Sequence, residues 1–242
     1  MLTSVAMAHE QLTAQQVADY LHMDRREVEK LASRGKIPSR RQHGKIVFVK
    51  SQIDHWVETQ MHELGADRLA DIERGVSAHH GFDETQPLLT PLIPPGGVIV
   101  PLDARSKSGV IRRLVGLAAD AQMVYDQNDL LKEIEDREEL CTTALIPDVA
   151  MPHPRHPLPH DIAASFVVVG LAPSGVPFAA IDGSLTRLFF LICCKDDRTH
   201  LHVLARLGRM LEERSDVDAL LHASSPGELM ETLEAIERRT IA

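Results

Sequence analysis

The stretch Ala150-Met151-Pro152-His153-Pro154-Arg155 is a short apolar run that a proline breaks and a histidine follows. Because Pro152 has no N–H to donate, a strand is expected to end or to lie at a sheet edge there. This predicts His153 at a strand-to-loop junction, where its side chain is held in place and still reaches solvent. A neutral imidazole there has a lone pair that can attack phosphorus, ligate a metal or move a proton.

The sequence on both sides of His153 alternates between strand and helix patterns. Two continuous apolar runs, residues 166–171 and 188–194, predict strands that are buried on both faces. Helices are predicted to begin after Ser106 or Ser108 and after Asn128, and then to fill residues 200–213, 216–223 and 226–238. This order predicts an α/β domain built in layers.

Short motifs around His153 occur in a specific order. They are Ser106-Lys107, Arg137-Glu138, Thr143-Ala144-Leu145, Val149-Ala150-Met151-Pro152-His153, Asp182-Gly183 and Thr199-His200-Leu201-His202-Val203-Leu204-Ala205. With these motifs, residues 90–240 resemble the enzyme IIA domain of the mannitol–fructose class of the sugar phosphotransferase system. That class includes a nitrogen-regulatory branch. The resemblance implies an enzyme IIA-type α/β fold with a mixed sheet and flanking helices.

The same resemblance implies a phosphoryl relay, and so a phosphocarrier rather than a stand-alone catalyst. His153 matches the histidine that accepts phosphate from the phosphocarrier protein HPr or a paralogue. His200 matches the family's second site histidine, and Arg137 matches the arginine of its Arg-Glu pair. Arg155 is expected to assist, because an imidazole nucleophile and positioned cationic donors suit phosphoryl transfer.

Two features depart from the family pattern. Relatives have glycines before and just after the Pro-His motif, where this chain has Ile146-Pro147-Asp148 and Pro154. Proline fixes the backbone that glycine leaves free, so His153 is expected to meet its donor with altered geometry or to meet a different donor. Asp148 is also expected to add negative charge near the site.

A metal site and a silent domain are the alternatives for this histidine cluster. His153, His156 and His160 have gaps that resemble ligand spacing, with His200 or His202 as further ligands. Prolines break that segment, which makes zinc the weaker reading, and His202 is expected on a helix surface. No phosphate-binding GxxxxGK[ST] or GxGxxG pattern is present, so the sequence predicts no cofactor and no metal.

The N-terminal part predicts a small helical module with a hairpin. Residues 12–21 read as a helix that Thr13 caps, and Asp24 caps a second helix that ends near Gly35. His43-Gly44 then predicts the turn of a hairpin, and a further helix is expected to start at Ser51. With Arg34-Gly35-Lys36-Ile37-Pro38 and Lys50-Ser51-Gln52-Ile53-Asp54-His55-Trp56, residues 11–60 resemble excisionase-like and MerR-like winged helix-turn-helix modules.

Charge supports a DNA partner for this module. Residues 25–50 contain nine lysines and arginines against Glu27 and Glu29, in a chain whose net charge is −9. By resemblance, the residues expected to face DNA are Arg25, Arg26 and Lys30 from the second helix and Arg40, Arg41 and Lys45 from the hairpin. The alternative is that this basic face docks on a protein or on the acidic remainder of the chain. A dimer or repeated sites are expected if the module regulates transcription.

Length and composition set the domain organisation. The 242 residues are 44% hydrophobic and 25% charged, as in ordinary globular domains. We predict a DNA-binding module at 1–64, a proline-rich linker at 65–95 and an enzyme IIA domain at 96–242. Three cysteines, expected to be buried and reduced, the lack of a signal peptide and the lack of a long apolar run predict a cytoplasmic protein without membrane insertion.

Two functions follow from these expectations. In the first, the chain is a nitrogen-regulatory type regulator that couples phosphorylation of His153 to binding of DNA, or of a regulatory protein partner, by the N-terminal module. In the second, it is an enzyme IIA phosphocarrier for sugar uptake, and its N-terminal module mediates protein contacts only.

Overall fold

A computed structural model describes residues 11–21, 23–50, 52–53, 56–57, 70 and 86–242. The chain divides into two compact units, Met1–Phe82 and Asp83–Ala242. Each unit has its own sheet, so the two are described separately. In the described part of the chain, no helix is long and apolar enough to cross a membrane.

The N-terminal unit pairs two helices with a small antiparallel sheet. Its described elements are β1 (Gln11–Thr13), α1 (Ala14–Leu21), α2 (Arg25–Ser33), β2 (Arg40–Gln42) and β3 (Lys45–Val49). The sheet has the order β1-β3-β2, with β3 in the centre. The predicted helix-turn-helix and hairpin are confirmed, whereas β1 was not predicted, because three residues have too short a pattern to reveal a strand.

Local chemistry explains where these elements begin and turn. Thr13 Oγ1 accepts from Gln16 N and Gln16 Oε1 accepts from Thr13 N, which closes a reciprocal cap before α1. Asp24 caps α2 as predicted, since its side chain accepts from Arg26 N at 2.7 Å. His43 and Gly44 both have positive φ, of 49° and 77°, which is the backbone that a two-residue hairpin turn requires.

The helix predicted from Ser51 is described only in part. Ile53 and Val57 are fully buried, and Trp56 Nε1 donates to the Lys36 carbonyl at 2.7 Å. This bond ties that segment to the loop between α2 and the hairpin. Most of the predicted linker, residues 65–95, lies outside the described residues.

The second unit is built on a mixed sheet. Its strands are β4 (Val98–Ile99), β5 (Val149–Ala150), β6 (Phe166–Val176) and β7 (Thr186–Cys193), in the order β4-β6-β7-β5. β6 and β7 are antiparallel, while β4 on β6 and β5 on β7 are parallel. The apolar runs of β6 and β7 are almost entirely buried, as their sequence predicts.

Helices come before and after the main strands of this sheet in the sequence. α3 (Lys107–Asp120) and α4 (Gln127–Leu140) precede β5, whereas α5 (Asp197–Met210), α6 (Arg214–Leu221) and α7 (Pro226–Thr240) follow β7. The apolar face of α3 packs into the same core as β6 and β7. These elements confirm the predicted layered α/β architecture.

Side-chain caps set the helix starts. Ser106 caps α3 as predicted, because its Oγ accepts from Gly109 N. The prediction that Asn128 caps the next helix is wrong: Asp126 is the cap and accepts from the backbone N–H of Asn128 and Asp129. The helix after β7 also begins earlier than predicted, at Asp197, because Asp196 caps it.

The cysteines differ in their surroundings. Cys193 and Cys194 at the end of β7 are buried as predicted, and burial raises the pKa of the Cys193 thiol. Cys141 is only half-buried, at the end of α4.

The described residues 86–95 pack against the second unit. They include a 3-10 turn, Thr90–Leu92, preceded by the fully buried Leu89. The Glu237 carboxylate of α7 accepts from the backbone N–H of Leu88, Leu89 and Thr90. The unit therefore includes residues N-terminal to position 96, while the predicted boundary of the domain stays a prediction.

Candidate functional site

The backbone before His153 stays beside β7 after β5 ends. β5 stops at Ala150, in accord with the expected effect of Pro152, and the Pro152 carbonyl still accepts from Ile192 N at 3.0 Å. Pro152 and Pro154 are both buried. Sheet pairing and two rings with fixed φ thus hold His153 on a defined backbone.

The imidazole of His153 is oriented by its own backbone. Nδ1 lies 2.7 Å from the Met151 carbonyl oxygen, which can only accept, so Nδ1 carries a proton. In the neutral ring, Nε2 is therefore the nitrogen with the lone pair. The ring is 2% exposed, so the expectation that it reaches solvent is wrong. The buried Pro152 and Pro154 and the ring of His200 are among its neighbours.

The structure brings His200 to His153. Their ring centroids are 4.9 Å apart with planes tilted by 55°. His200 lies in the first turns of α5, which begins directly after β7 and its Lys195-Asp196 connection. His200 is half-buried.

The two predicted arginines have different environments. Arg137, in the last turn of α4, is 4% exposed, and its Nη1 donates to the Cys141 carbonyl at 3.1 Å and lies 3.2 Å from Cys141 Sγ. Arg155 is exposed to solvent. Arg137 thus contacts the start of the segment that leads to β5, and the roles of both arginines stay predictions.

Glu138 is a buried group that the sequence marked only as part of a motif. Its Oε2 accepts from Lys107 Nζ at 2.9 Å, and its Oε1 accepts from Thr143 N at 3.1 Å and from Thr143 Oγ1. The Arg-Glu pair therefore contacts both ends of the Cys141–Thr143 turn. The Arg-Glu motif was the sequence signal for this residue.

Asp148 does not leave an uncompensated charge in this region. It occupies a turn with φ of 67°, where Val149 N donates to the Ile146 carbonyl. Its carboxylate is 2.8 Å from Arg187 Nε and 2.8 Å from Arg214 Nη2. The hydrogen bond from Arg187, with further help from Arg214, holds the pKa of Asp148 below its usual value. The expected local excess of negative charge is therefore wrong, because partners distant in sequence neutralise it.

The other histidines of the predicted cluster differ in their exposure. His160 is exposed and His156 is half-buried, whereas His202 is 2% exposed and so is not on the helix surface as predicted. Across residues 86–242 and the described parts of the N-terminal unit, no three His, Cys, Asp or Glu side chains are grouped closely enough to hold a metal ion. We build no metal site from these residues.

The six basic residues predicted to face DNA are all exposed. Arg25 Nε pairs with Glu29 at 2.8 Å along α2. In the hairpin, Arg40 lies opposite Val47 and Arg41 lies opposite Ile46, so these two arginines project from opposite faces of the sheet. The hairpin therefore presents its cations on two faces rather than one.

A family description matches most of the second unit. Residues 92–236 match the family "Phosphoenolpyruvate-dependent sugar phosphotransferase system, EIIA 2". The chain belongs to this family. Residues 12–61 match the family described as "Helix-turn-helix domain", which agrees with α1, α2 and the hairpin. The chain thus joins an EIIA domain to a helix-turn-helix domain.

Relatives of the EIIA domain have both sugar-specific and regulatory names. The fructose-specific EIIA component of Haloferax volcanii is 27% identical over 54% of this chain and 84% of that protein. The nitrogen regulatory protein of Pseudomonas aeruginosa is 28% identical over 59% of this chain and 91% of that protein. A longer relative, the fructose-specific EIIABC component of Bacillus subtilis, is matched over only 23% of its length.

Solved structures agree on the fold. The complex of enzyme IIA mannitol and phosphorylated enzyme IIB mannitol from Escherichia coli contains a chain with a TM-score of 0.52 and 24% identity to this chain. The match covers 58% of this chain and 95% of that chain. The sheet and helices of the second unit are those of EIIA proteins.

Proposed function

We propose that the EIIA domain accepts a phosphoryl group on Nε2 of His153 from an HPr-type phosphocarrier in the cytoplasm. Phosphorylation would then control binding of the helix-turn-helix domain to DNA or to a regulatory protein. The observation that carries the proposal is the pair of rings, in which His153 donates through Nδ1 to Met151 and lies 4.9 Å from His200. This arrangement leaves Nε2 as the nucleophilic atom.

The transfer step forms one P–N bond and breaks another. The Nε2 lone pair attacks the phosphorus of the donor's phosphohistidine, and the electrons of the broken bond return to the donor's imidazole, which then takes up a proton from solvent. Because Nδ1 keeps its proton, the phosphorylated ring of His153 carries a positive charge. Nδ1–H keeps its bond to the Met151 carbonyl throughout. An N–H of His200 and the guanidinium of Arg137 are the proposed donors to the phosphoryl oxygens.

Burial of His153 adds one requirement to this step. Because the ring is 2% exposed, the donor reaches Nε2 only when the side chains that cover it move. His200 is a half-buried ring in contact with His153, so we assign it to phosphoryl binding once the site is open.

Phosphorylation is tested with the full-length protein, enzyme I, HPr and labelled phosphoenolpyruvate. We expect acid-labile label on the wild type and none on His153→Ala. His160→Ala is the matched control, because it removes an exposed histidine of the same segment and should label normally. No label on the wild type, or label that persists in His153→Ala, would overturn the proposal.

DNA binding is tested by titrating duplex DNA at several salt concentrations. The slope of log affinity against log salt is negative, and each lost phosphate contact is expected to reduce its magnitude by about 0.9. We therefore compare two double variants. The first combines Arg26→Ala with Lys30→Ala. The control combines Arg112→Ala with Arg113→Ala, which removes the same charge from exposed positions on α3. A shallower slope in the first variant alone supports DNA binding, and a wild type without salt-dependent affinity contradicts it.

A sugar-uptake phosphocarrier is the second candidate, favoured by the likeness to a fructose-specific EIIA component. In that case the phosphorylated protein passes its phosphoryl group to an enzyme IIB. Rapid transfer to an added IIB protein, together with no DNA affinity, would select this function over the regulator.

A further inference from the structure

A chain of hydrogen bonds connects helix α4 to the ring of His153. It begins at Glu138, whose side chain forms an ion pair with Lys107 and is 1% exposed. Three donors surround this carboxylate: the Lys107 ammonium, the Thr143 backbone N–H and the Thr143 hydroxyl. A buried carboxylate with this many donors is strongly held, because each hydrogen bond to a charged acceptor is stronger than a neutral one.

The chain continues from Thr143 to the imidazole. The Thr143 carbonyl accepts from Met151 N at 3.3 Å, and the Met151 carbonyl accepts from His153 Nδ1 at 2.7 Å. Glu138 therefore sets the position of Thr143, Thr143 sets the position of the Met151 peptide, and that peptide orients the ring. β5 ends at Ala150, and the Met151 peptide beyond it is held from two sides. Met151 N donates to the Thr143 carbonyl, and the following Pro152 carbonyl accepts from Ile192 N of β7.

We propose that Glu138 is a positioning residue for His153, acting through Thr143 and Met151 to keep the proton on Nδ1 and the lone pair on Nε2. The inference rests on the proposed transfer to His153 for its effect on rate, but its structural part stands apart from that transfer. Glu138 touches neither the reacting nitrogen nor the phosphoryl group in this scheme.

The expected consequence of losing Glu138 follows from tautomerism. A free neutral imidazole carries its proton on either nitrogen, and only a hydrogen bond selects one of them. When Thr143 loses its anchor, the Met151 carbonyl moves and its hydrogen bond to Nδ1 weakens. Part of the population then carries the proton on Nε2, where it blocks attack. In the remainder, the Nε2 lone pair is poorly oriented toward the phosphorus.

Four full-length variants separate this role from a purely structural one. Glu138→Ala removes every contact to Thr143, whereas Glu138→Gln keeps an oxygen that accepts from Thr143. Thr143→Val removes only the hydroxyl contact, and it decides the matter if Glu138→Ala does not fold. Glu135→Ala is the matched control, because Glu135 lies one turn earlier on α4 and accepts from Ser108 Oγ of α3 at 2.8 Å.

The first readout is the ring nitrogen NMR signal of His153 in the unphosphorylated protein, which reports the tautomer directly. We expect wild type, Glu138→Gln and Glu135→Ala to show a protonated Nδ1 and an unprotonated Nε2. Glu138→Ala should show mixed tautomers, and Thr143→Val a smaller shift in the same direction. The second readout is the rate of phosphoryl transfer, which we expect to fall about tenfold in Glu138→Ala and to recover in Glu138→Gln.

The outcomes distinguish the two proposals. A wild type that takes no phosphate overturns the proposed function, yet the tautomer comparison still tests the role of Glu138. An unchanged tautomer in a folded Glu138→Ala, or in Thr143→Val if the alanine variant does not fold, overturns the positioning role. A Glu138→Gln variant as impaired as Glu138→Ala also overturns it, because loss of the ion pair with Lys107, rather than of the contact with Thr143, would then be responsible.

Discussion

His153 and His200 form one ring contact but have different proposed tasks, since one carries the phosphoryl group and the other donates to it. Removing a single donor to a developing anionic group commonly costs about 100- to 1,000-fold in rate. Loss of His153 is therefore expected to abolish labelling, whereas loss of His200 is expected to slow it.

The first prediction concerns His200→Ala. We expect label to remain on His153 while transfer from HPr slows by about 100-fold or more, because an oxygen of the phosphoryl group loses its N–H donor. Quenched-flow labelling measures the rate, and His160→Ala serves as the histidine control. A His200→Ala protein that is labelled as fast as wild type would contradict the assigned role.

A second prediction at this scale concerns Asp148, whose pKa is lowered chiefly by Arg187. A carboxyl group with a lowered pKa in the folded state stabilises the protein above its unfolded pKa of 3.8 and loses that effect as pH falls through the folded value. We expect Asp148→Asn to be less stable than wild type at neutral pH, with the difference narrowing below about pH 4.

Urea unfolding of both proteins across this pH range measures the difference in free energy of unfolding. Asp103→Asn, which changes an exposed carboxylate of the same unit, is the control and should differ little from wild type. A gap between wild type and Asp148→Asn that stays constant to the lowest pH would show that the ion pairs do not stabilise the fold.

At the scale of single elements, replacing either of two glycines by alanine is expected to change stability in opposite directions, although both have open space around them. An added Cβ meets nothing within 4 Å at either Gly44 or Gly227. Gly44 has φ of 77° in the turn between β2 and β3, whereas Gly227 lies in the first turn of α7 without a positive φ. Backbone conformation rather than crowding therefore decides the sign.

The third prediction is that Gly44→Ala destabilises the N-terminal unit by about 1–2 kcal/mol, because an L-residue strains at that φ. Gly227→Ala should stabilise the second unit by about 0.4–1 kcal/mol, because alanine restricts the unfolded chain. Trp56 is the single tryptophan, so its fluorescence reports unfolding of the first unit, and circular dichroism follows α7. Effects of the same sign would refute the conformational argument.

At the scale of the whole molecule, one buried ion pair ties the ends of the EIIA domain together. Arg206 Nη1 lies 3.0 Å from Glu237 Oε1, and both side chains are fully buried. Glu237 also accepts from the backbone N–H groups of residues 88–90 and from the Thr90 hydroxyl. Helices α5 and α7 are thus joined to the segment at the start of the unit.

The fourth prediction is that Glu237→Ala lowers the free energy of unfolding by about 3–5 kcal/mol, because it leaves the Arg206 charge buried without its carboxylate. Glu234→Ala is the matched control on the same helix, since Glu234 pairs with Arg238 at 3.8 Å on the surface and should cost about 0.2–1 kcal/mol. Denaturant unfolding of each variant measures both values. Equal losses would mean that burial of the pair has no energetic weight.

Much of the architecture follows from the sequence, because its signals are local. The apolar runs of β6 and β7, the caps at Asp24 and Ser106, and the His43-Gly44 turn each act within a few residues, and all are confirmed. The resemblance to the EIIA family rests on motif order along the chain, and the family match confirms it. The end of β5 before Pro152 was also predictable, since proline lacks a backbone N–H donor in any tertiary context.

The tertiary structure alone decided the environment of the site. Burial of His153, the neutralisation of Asp148 by Arg187 and Arg214, and burial of His202 all join or cover residues far apart in sequence. Periodicity shows which face of an element is apolar, but it does not show which polar groups from other elements meet there. The identity of the candidate phosphoryl acceptor was thus contained in the sequence, whereas its access to solvent and its electrostatic surroundings depend on long-range packing.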